Sequence, residues 1–207
     1  MLNRNRIFMD RTINCGPISA EAALNYGFTG PNLRAAGVDY DVRVMNPYSS
    51  YEDFDFIIPV GTNGDTYDRY MVRHVEMQQS MSIIRQAIQK LQSLKDQTSF
   101  HADVPEFYLP PKDEVYNTME GLIWHFKIVM GEVDIPKGEV YHCVEGGNGE
   151  LGFYLISDGG RTPDRVHFRR PCFIYYQAYA DMIRGSMLSD AILTMSSMNV
   201  IAGELDT

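Results

Sequence analysis

Hydrophobic spacing changes character several times along the chain. From Asp65 onward Tyr67, Tyr70, His74, Met77, Met81, Ile84, Ile88 and Leu91 recur at alternating steps of three and four. That period puts them on one stripe of an α-helix running to about Leu94, the predicted spine of a bundle. At the helical rise such an element spans ~45 Å. Upstream, Ser19 before Ala20-Glu21-Ala22-Ala23-Leu24 predicts an N-capped short helix ending near Gly27. Thr29-Gly30-Pro31 predicts a second, with Pro at its start and Gly37 near its end. The opening residues carry no evident helix start, and residues 38–63 read as loop with short extended pieces.

Polar residues 95–106 read as a loop before Pro110-Pro111. Val115, Met119, Leu122, Phe126 and Val129 then repeat the helical stripe until Gly131, which predicts a helical hairpin. Beyond Pro136 the spacing becomes strand-like. Val140–Val144, Phe153–Ile156 and Arg165–Phe168 are separated by the turns 146–149 and 158–160. This is the pattern of a three-stranded antiparallel meander. From Pro171 a Met- and Tyr-rich helical region, broken at Gly185, runs into the tail Val200–Asp206. The fold class is therefore α+β: a helical bundle with a long spine helix and a small β-meander insert. The divisions are helical 64–131, β-meander 138–170 and C-terminal helical region 171–207.

Charge narrows the functional classes. The 207 residues carry a formal charge of −9, which repels phosphate backbones and weighs against nucleic-acid binding. No stretch approaches the roughly 20 apolar residues of a membrane span, and Met1–Arg11 holds arginines without an apolar signal core. The opening instead reads as the continuation of a longer chain. Cys15, Cys143 and Cys172 are three widely spaced thiols without a C-x-x-C, a pattern that fits a reducing compartment.

Motif by motif, no self-contained active site emerges. Gly147-x-Gly149-x-x-Gly152 matches a dinucleotide fingerprint in letters. Phosphate binding there requires a helix N-terminus after the glycines, and a strand follows instead, so the hairpin reading is preferred. The five histidines lack metal-ligand spacing; His142 and Cys143 are adjacent on a strand and face opposite ways. His74 reads as a hydrogen-bonded core histidine. The carboxylates Asp55, Asp65, Asp68, Glu145 and Glu150 are mostly expected to solvate a surface, and Asp65 and Asp68 suit the start of the long helix. Arg161, Arg165, Arg169 and Arg170 form a basic run in an acidic chain. They pair either with the chain's own carboxylates or with an acidic partner.

Five ordered blocks carry a family resemblance. Gly61-Thr62-Asn63-Gly64-Asp65-Thr66-Tyr67-Asp68-Arg69-Tyr70, continuing through Val72-Arg73 and Glu76-Met77 to Gln79-Ser80, is the longest. Gly138–Tyr141 with Val144-Glu145, then Gly149–Gly159, Arg170–Phe173 and Gly203–Asp206 are the others. In these blocks the chain resembles the C-terminal part of the D subunit of the proton-pumping NADH:quinone oxidoreductase, respiratory complex I. That family is related to the large subunit of [NiFe] hydrogenases, whose metal is held by two C-x-x-C pairs that this sequence lacks.

The resemblance implies a metal-free, quinone-reducing branch in which the D subunit packs against the subunit carrying the terminal iron–sulfur cluster, with the quinone chamber between them. It implies no cofactor bound by this chain, quinone as the substrate of the complex, and NAD and iron–sulfur clusters in other subunits. It places this chain peripherally at the cytoplasmic face of the bacterial inner membrane, attached through partner subunits. The family's quinone-headgroup His and Tyr lie in a part preceding this chain. Thr207 stands where the family usually ends in Arg, and Ser186 where a His is often found. The terminal tail of the family lines the chamber, which implies chamber positions for Asn199, Ile201, Glu204 and Asp206. Arg161, Arg165, Arg169 and Arg170 are the partner-contact candidates. The competing expectation is a scaffold without quinone contact, and the isolated chain is expected to be inactive.

Overall fold

The computed structural model describes residues 2–94, 104, 107–131 and 135–206. The chain is α+β, with a three-stranded antiparallel sheet among short helices and one long one. None of the described helices is long and apolar enough to cross a membrane. The residues divide into two compact units. One holds Met1–Leu91, His142–Gly152 and Phe168–Thr207; the other holds Gln92–Tyr141 and Phe153–His167.

In the first unit, α1 (Arg6–Thr12) corrects the expectation of an opening without a helix start. The Asn5 side chain accepts a hydrogen bond from the Phe8 N–H and caps the first turn. Ser19 does the same for α2 (Ala20–Asn25) through the Ala22 N–H, and α3 (Gly30–Ala35) starts at Gly30-Pro31. The expected loop at 38–63 is corrected at two places. Asp41 accepts from the Arg43 N–H and nucleates α4 (Val42–Met45), and a 3₁₀ turn forms at Tyr51–Asp53.

The long helix α5 (Thr66–Ser93) is about 42 Å at the helical rise. Asp65 caps it, accepting from the Asp68 N–H at 2.8 Å, while Asp68 accepts from the Thr62 and Asn63 N–H groups. The polar cluster that stood out in sequence is thereby largely explained as a helix start. The predicted apolar stripe is not what α5 buries, however. Thr66, Arg69 and Val72 are its buried residues, while Met77, Ile84 and Leu91 are 59%, 57% and 67% exposed. His74 is half-buried, stacked on Tyr70 and near Gln78, and not a core residue.

In the second unit the single predicted helix is two, α6 (Lys112–Asn117) and α7 (Met119–Val129), packed on each other. Thr118 causes the break. Its backbone is extended and its hydroxyl accepts from the Gly121 N–H, capping α7. Met119, Leu122, Phe126 and Val129 are exposed, and among the described residues of this unit only Pro110 and Gly121 are buried. The loop expected at 95–106 lies, Val104 apart, outside the described residues, as does His101.

The strands are β1 (Gly138–Gly146), β2 (Gly149–Ser157) and β3 (Arg165–Arg169), in the order β1-β2-β3. Cys143 is buried and His142 exposed, as the alternation of a strand requires.

The apolar core of the first unit joins its two ends. Ile18, Ala23, Phe28 and Leu33 from the early segments meet residues of α8 (Pro171–Tyr176), α9 (Tyr179–Met182) and α10 (Leu188–Met198). Cys172, Tyr175, Met182 and Met198 are the late contributions, and the chain closes with α11 (Ala202–Leu205) packed on α8. The two largest fully buried side chains of the described residues are arginines, Arg34 and Arg69.

Candidate functional site

The glycine-rich turn of the β1–β2 hairpin is held by α3, and glycine is needed on both sides. A Cβ on Gly30 (φ +66°) would lie 2.3 Å from the Gly149 Cα, and one on Gly149 (φ +138°) 2.7 Å from the Thr29 hydroxyl. The Glu150 N–H donates to that hydroxyl at 3.0 Å and locks the contact. The glycines that mimic a dinucleotide motif thus serve a close backbone approach.

The approach aims Asn148 inward. Its side chain is buried, and its amide oxygen accepts from the Asn199 Nδ2 at 2.5 Å. Asn199 sits in the left-handed region (φ +57°) at the end of α10, where an asparagine is tolerated. Its carbonyl receives the Tyr175 hydroxyl at 3.4 Å and lies 3.7 Å from the Cys172 thiol. Glu204 closes the ring. Its carboxylate accepts from the Cys172 N–H at 2.9 Å in the first turn of α8 and lies 3.5 Å from the Asn148 Nδ2. The Cys172 thiol and Tyr175 hydroxyl are 2.8 Å apart. Burial raises the pKa of both, so each is neutral at pH 7.

A cavity of about 390 Å³ opens over this ring. Turn 146–149 and Leu151 form one side; Pro171, Asn199, Ile201 and Glu204 form the other. Its volume falls within the range of small-molecule sites, about 300–1,000 Å³. Three of the four chamber candidates from sequence therefore meet at one cavity. Asp206, exposed at the end of α11, is not among the residues lining it.

The four arginines of the basic run have different surroundings. Arg161 and Arg165 are exposed. Arg169 is turned inward, donating to the Glu150 carbonyl (3.0 Å) and the Gly27 carbonyl (3.1 Å), with the Glu150 carboxylate 3.9 Å away. Arg170 stacks over the Phe173 ring at 5.1 Å.

Beside the hairpin lies a charge network that sequence reasoning missed. Arg34, 1% exposed, meets Asp41 at 3.2 Å, Glu145 at 2.9 Å and Glu76 at 2.5 Å, and Arg43 also grips Asp41. Two guanidinium groups face three carboxylates. Burial pushes the Glu145 pKa up, more than the Arg34 charge pulls it down. Burial also acts to raise that of Asp41, but the Arg43 hydrogen bonds and the Arg34 charge outweigh it and hold Asp41 below the usual carboxylate range.

The model for the respiratory-chain NADH dehydrogenase 49 kDa subunit family matches residues 1–207. The chain belongs to that family. It is 72% identical to the NADH-quinone oxidoreductase D subunit, second form, of Cytophaga hutchinsonii, aligned over 100% of this chain and 52% of the relative. It is 68% identical to the corresponding D subunit of Flavobacterium johnsoniae, over 100% and 49%. The D subunit of Geotalea uraniireducens is 50% identical, over 100% and 52%. The chain spans about half the length of the curated relatives it matches. The block resemblance read from sequence thus extends to the whole chain. Within this 49 kDa family member, the blocks 138–145, 149–159, 170–173 and 203–206 include the hairpin strands, Pro171, Cys172 and Glu204 of the ring. Asn148, Tyr175 and Arg34 lie outside those blocks, and a contact between residues over 20 positions apart leaves no periodic trace in one sequence.

Proposed function

We propose that this chain supplies part of one wall of the quinone chamber in an NADH-dependent, quinone-reducing respiratory complex, together with docking surface for the subunit that carries the terminal iron–sulfur cluster. The observation that carries the reading is the meeting of Asn199, Ile201 and Glu204 at one cavity, opposite a hairpin turn fixed by glycines. A quinone headgroup offers two carbonyl acceptors and becomes a pair of hydroxyl donors when reduced. Asn199, positioned by Asn148, presents an amide donor to the oxidised form, and Glu204 presents an acceptor to the reduced form. Ile201 and Leu151 give the ring an apolar surface to lie on.

In this reading the chain provides positioning groups. Electrons arrive from NADH through iron–sulfur clusters on other subunits, and those subunits hold the chain peripherally at the cytoplasmic face of the bacterial inner membrane. Exposed Arg161 and Arg165 are the partner-facing cations. The whole chain forms the C-terminal part of a larger D-type domain, with 64–131, 138–170 and 171–207 as its divisions, and it is inactive alone.

Alanine at Ile201 and at Asn199 in the assembled complex tests the chamber reading. Raised KM for a short-chain quinone and altered inhibitor sensitivity are expected. Wild-type values for both variants, with no label from a photoreactive quinone in the last ten residues, would leave the scaffold reading.

A further inference from the structure

Arg69 and Arg73 lie one turn apart on α5, and neither forms an ion pair with a carboxylate of the described residues. Arg73 is spent on the last turn of α10, which Arg69 reaches only through the Ser197 hydroxyl. Arg69, fully buried, donates from Nε to the Ser197 hydroxyl at 2.9 Å and from its other nitrogens to the Gly64 and Gly16 carbonyls. Arg73 donates from Nη1 to the Ser197 carbonyl at 2.8 Å, and from Nη2 to the Met198 carbonyl at 3.4 Å and the Asn32 side-chain oxygen at 3.2 Å. Asn32 returns a bond to the same Met198 carbonyl. The carbonyl end of a helix is its negative pole, so the Arg73 cation faces a dipole in place of an ion-paired carboxylate.

The next residue is Asn199, whose left-handed backbone and amide set one wall of the cavity. The Arg73 Nε is buried without a hydrogen-bond partner. Leaving such a donor unmade is costly. The guanidinium nevertheless stays where its remaining donors span two consecutive carbonyls, as an aligner of that turn would.

We infer that Arg73 is a positioning residue for the cavity, acting through the Ser197 and Met198 carbonyls to fix the Asn199 turn. The inference rests on the chamber reading above. A Lys ammonium is a single point of donation and cannot span the two carbonyls and Asn32 together.

The test uses the assembled complex carrying Arg73→Gln, Arg73→Lys, Asn199→Ala or the double variant Arg73→Gln/Asn199→Ala. Short-chain quinone KM and kcat are measured per assembled complex, alongside NADH oxidation by an artificial acceptor that takes electrons ahead of the quinone. Arg73→Gln and Arg73→Lys should each raise quinone KM by about tenfold, with kcat changed less than about twofold and artificial-acceptor activity unchanged; the figures follow from losing about 1.4 kcal/mol of binding. The double variant should match Asn199→Ala. Should Arg73→Gln fail to assemble, Arg73→Lys retains the charge and carries the test. Wild-type KM in the assembled Arg73 variants, while Asn199→Ala raises it, overturns the positioning role alone. Additive effects in the double variant also overturn it. Wild-type KM in Asn199→Ala and Ile201→Ala together removes the chamber reading beneath it.

Discussion

From Thr66 to Glu76, α5 buries polar groups: Arg69 has no exposed surface, and Arg73 and Glu76 are each tied into hydrogen-bonded networks. From Met77 to Leu91 the same helix presents Met77, Met81, Ile84, Ile88 and Leu91 to solvent. A stripe that is continuous in sequence thus divides in space. Apolar periodicity says which face of a helix can be buried. Which face is buried in this chain is decided by the neighbours, and along the first turns those are a helix C-terminus, glycine-bearing loops and, at Glu76, the Arg34 side chain of α3. A guanidinium suits that setting because its planar fork of five donors matches convergent oxygens.

The comparison breaks most readily at the two fully buried arginines. Arg34→Met should destabilise the chain by about 4 kcal/mol, because it leaves Glu145 buried and Glu76 partly buried without a counter-ion, Arg43 remaining to Asp41. Arg69→Met should cost about 3 kcal/mol, because it strands carbonyls and hydroxyls that bear no formal charge. Denaturant unfolding of the two variants at one pH compares them, and a larger loss for Arg69 would reverse the ranking of carboxylate against carbonyl shells.

A smaller effect, and a sharper one, is the pH dependence around Arg34. The folded-state pKa of Glu145 is raised above its ordinary value of 4.5, so the folded state holds that proton more firmly than the unfolded state. Its contribution is complete below about pH 4.5 and is lost as pH rises through the raised value. Asp41, held low, contributes in the opposite sense: its share is present above the ordinary carboxylate pKa and is lost as pH falls through the depressed one. Glu145→Gln should therefore flatten the stability profile above pH 4.5 and leave the acid limb intact. A variant whose curve runs parallel to the wild type would exclude Glu145 as the group responsible.

The smallest change in stability is expected on the exposed stripe. Ile84→Lys should alter unfolding free energy by less than about 0.5 kcal/mol. The wild-type chain should self-associate through its exposed apolar faces, and Ile84→Lys should lower the mass seen by light scattering. A loss of more than about 2 kcal/mol would mean that Ile84 is covered, and the two ends of α5 would then be alike.

Much of the architecture was legible because its signals are local. Ser19 announces α2, Gly30-Pro31 announces α3, and the turns at 146–149 and 158–160 separate strands whose residues alternate. The remaining elements have local signals as well, in the capping residues Asn5, Asp41 and Thr118, which hydrophobic period does not register. The site was legible only in its tail. Asn199, Ile201 and Glu204 came from family resemblance, whereas Asn148 and Tyr175 join them through contacts across 51 and 24 positions. Arg34 was invisible for a physical reason: Leu33-Arg34-Ala35 has the look of a snorkelling surface arginine, and only its distant carboxylates make burial tolerable.

Cys172 gives the cavity a clock. Its thiol is fully buried, its pKa is raised by that burial, and the Glu204 carboxylate is tied to its own N–H. The sulfur lies against the Tyr175 hydroxyl, the Asn148 amide and the Asn199 carbonyl, so a thiol reagent reaches it only when that packing opens. The rate of alkylation at Cys172 therefore counts openings of the ring itself, with no electron transfer needed to read it.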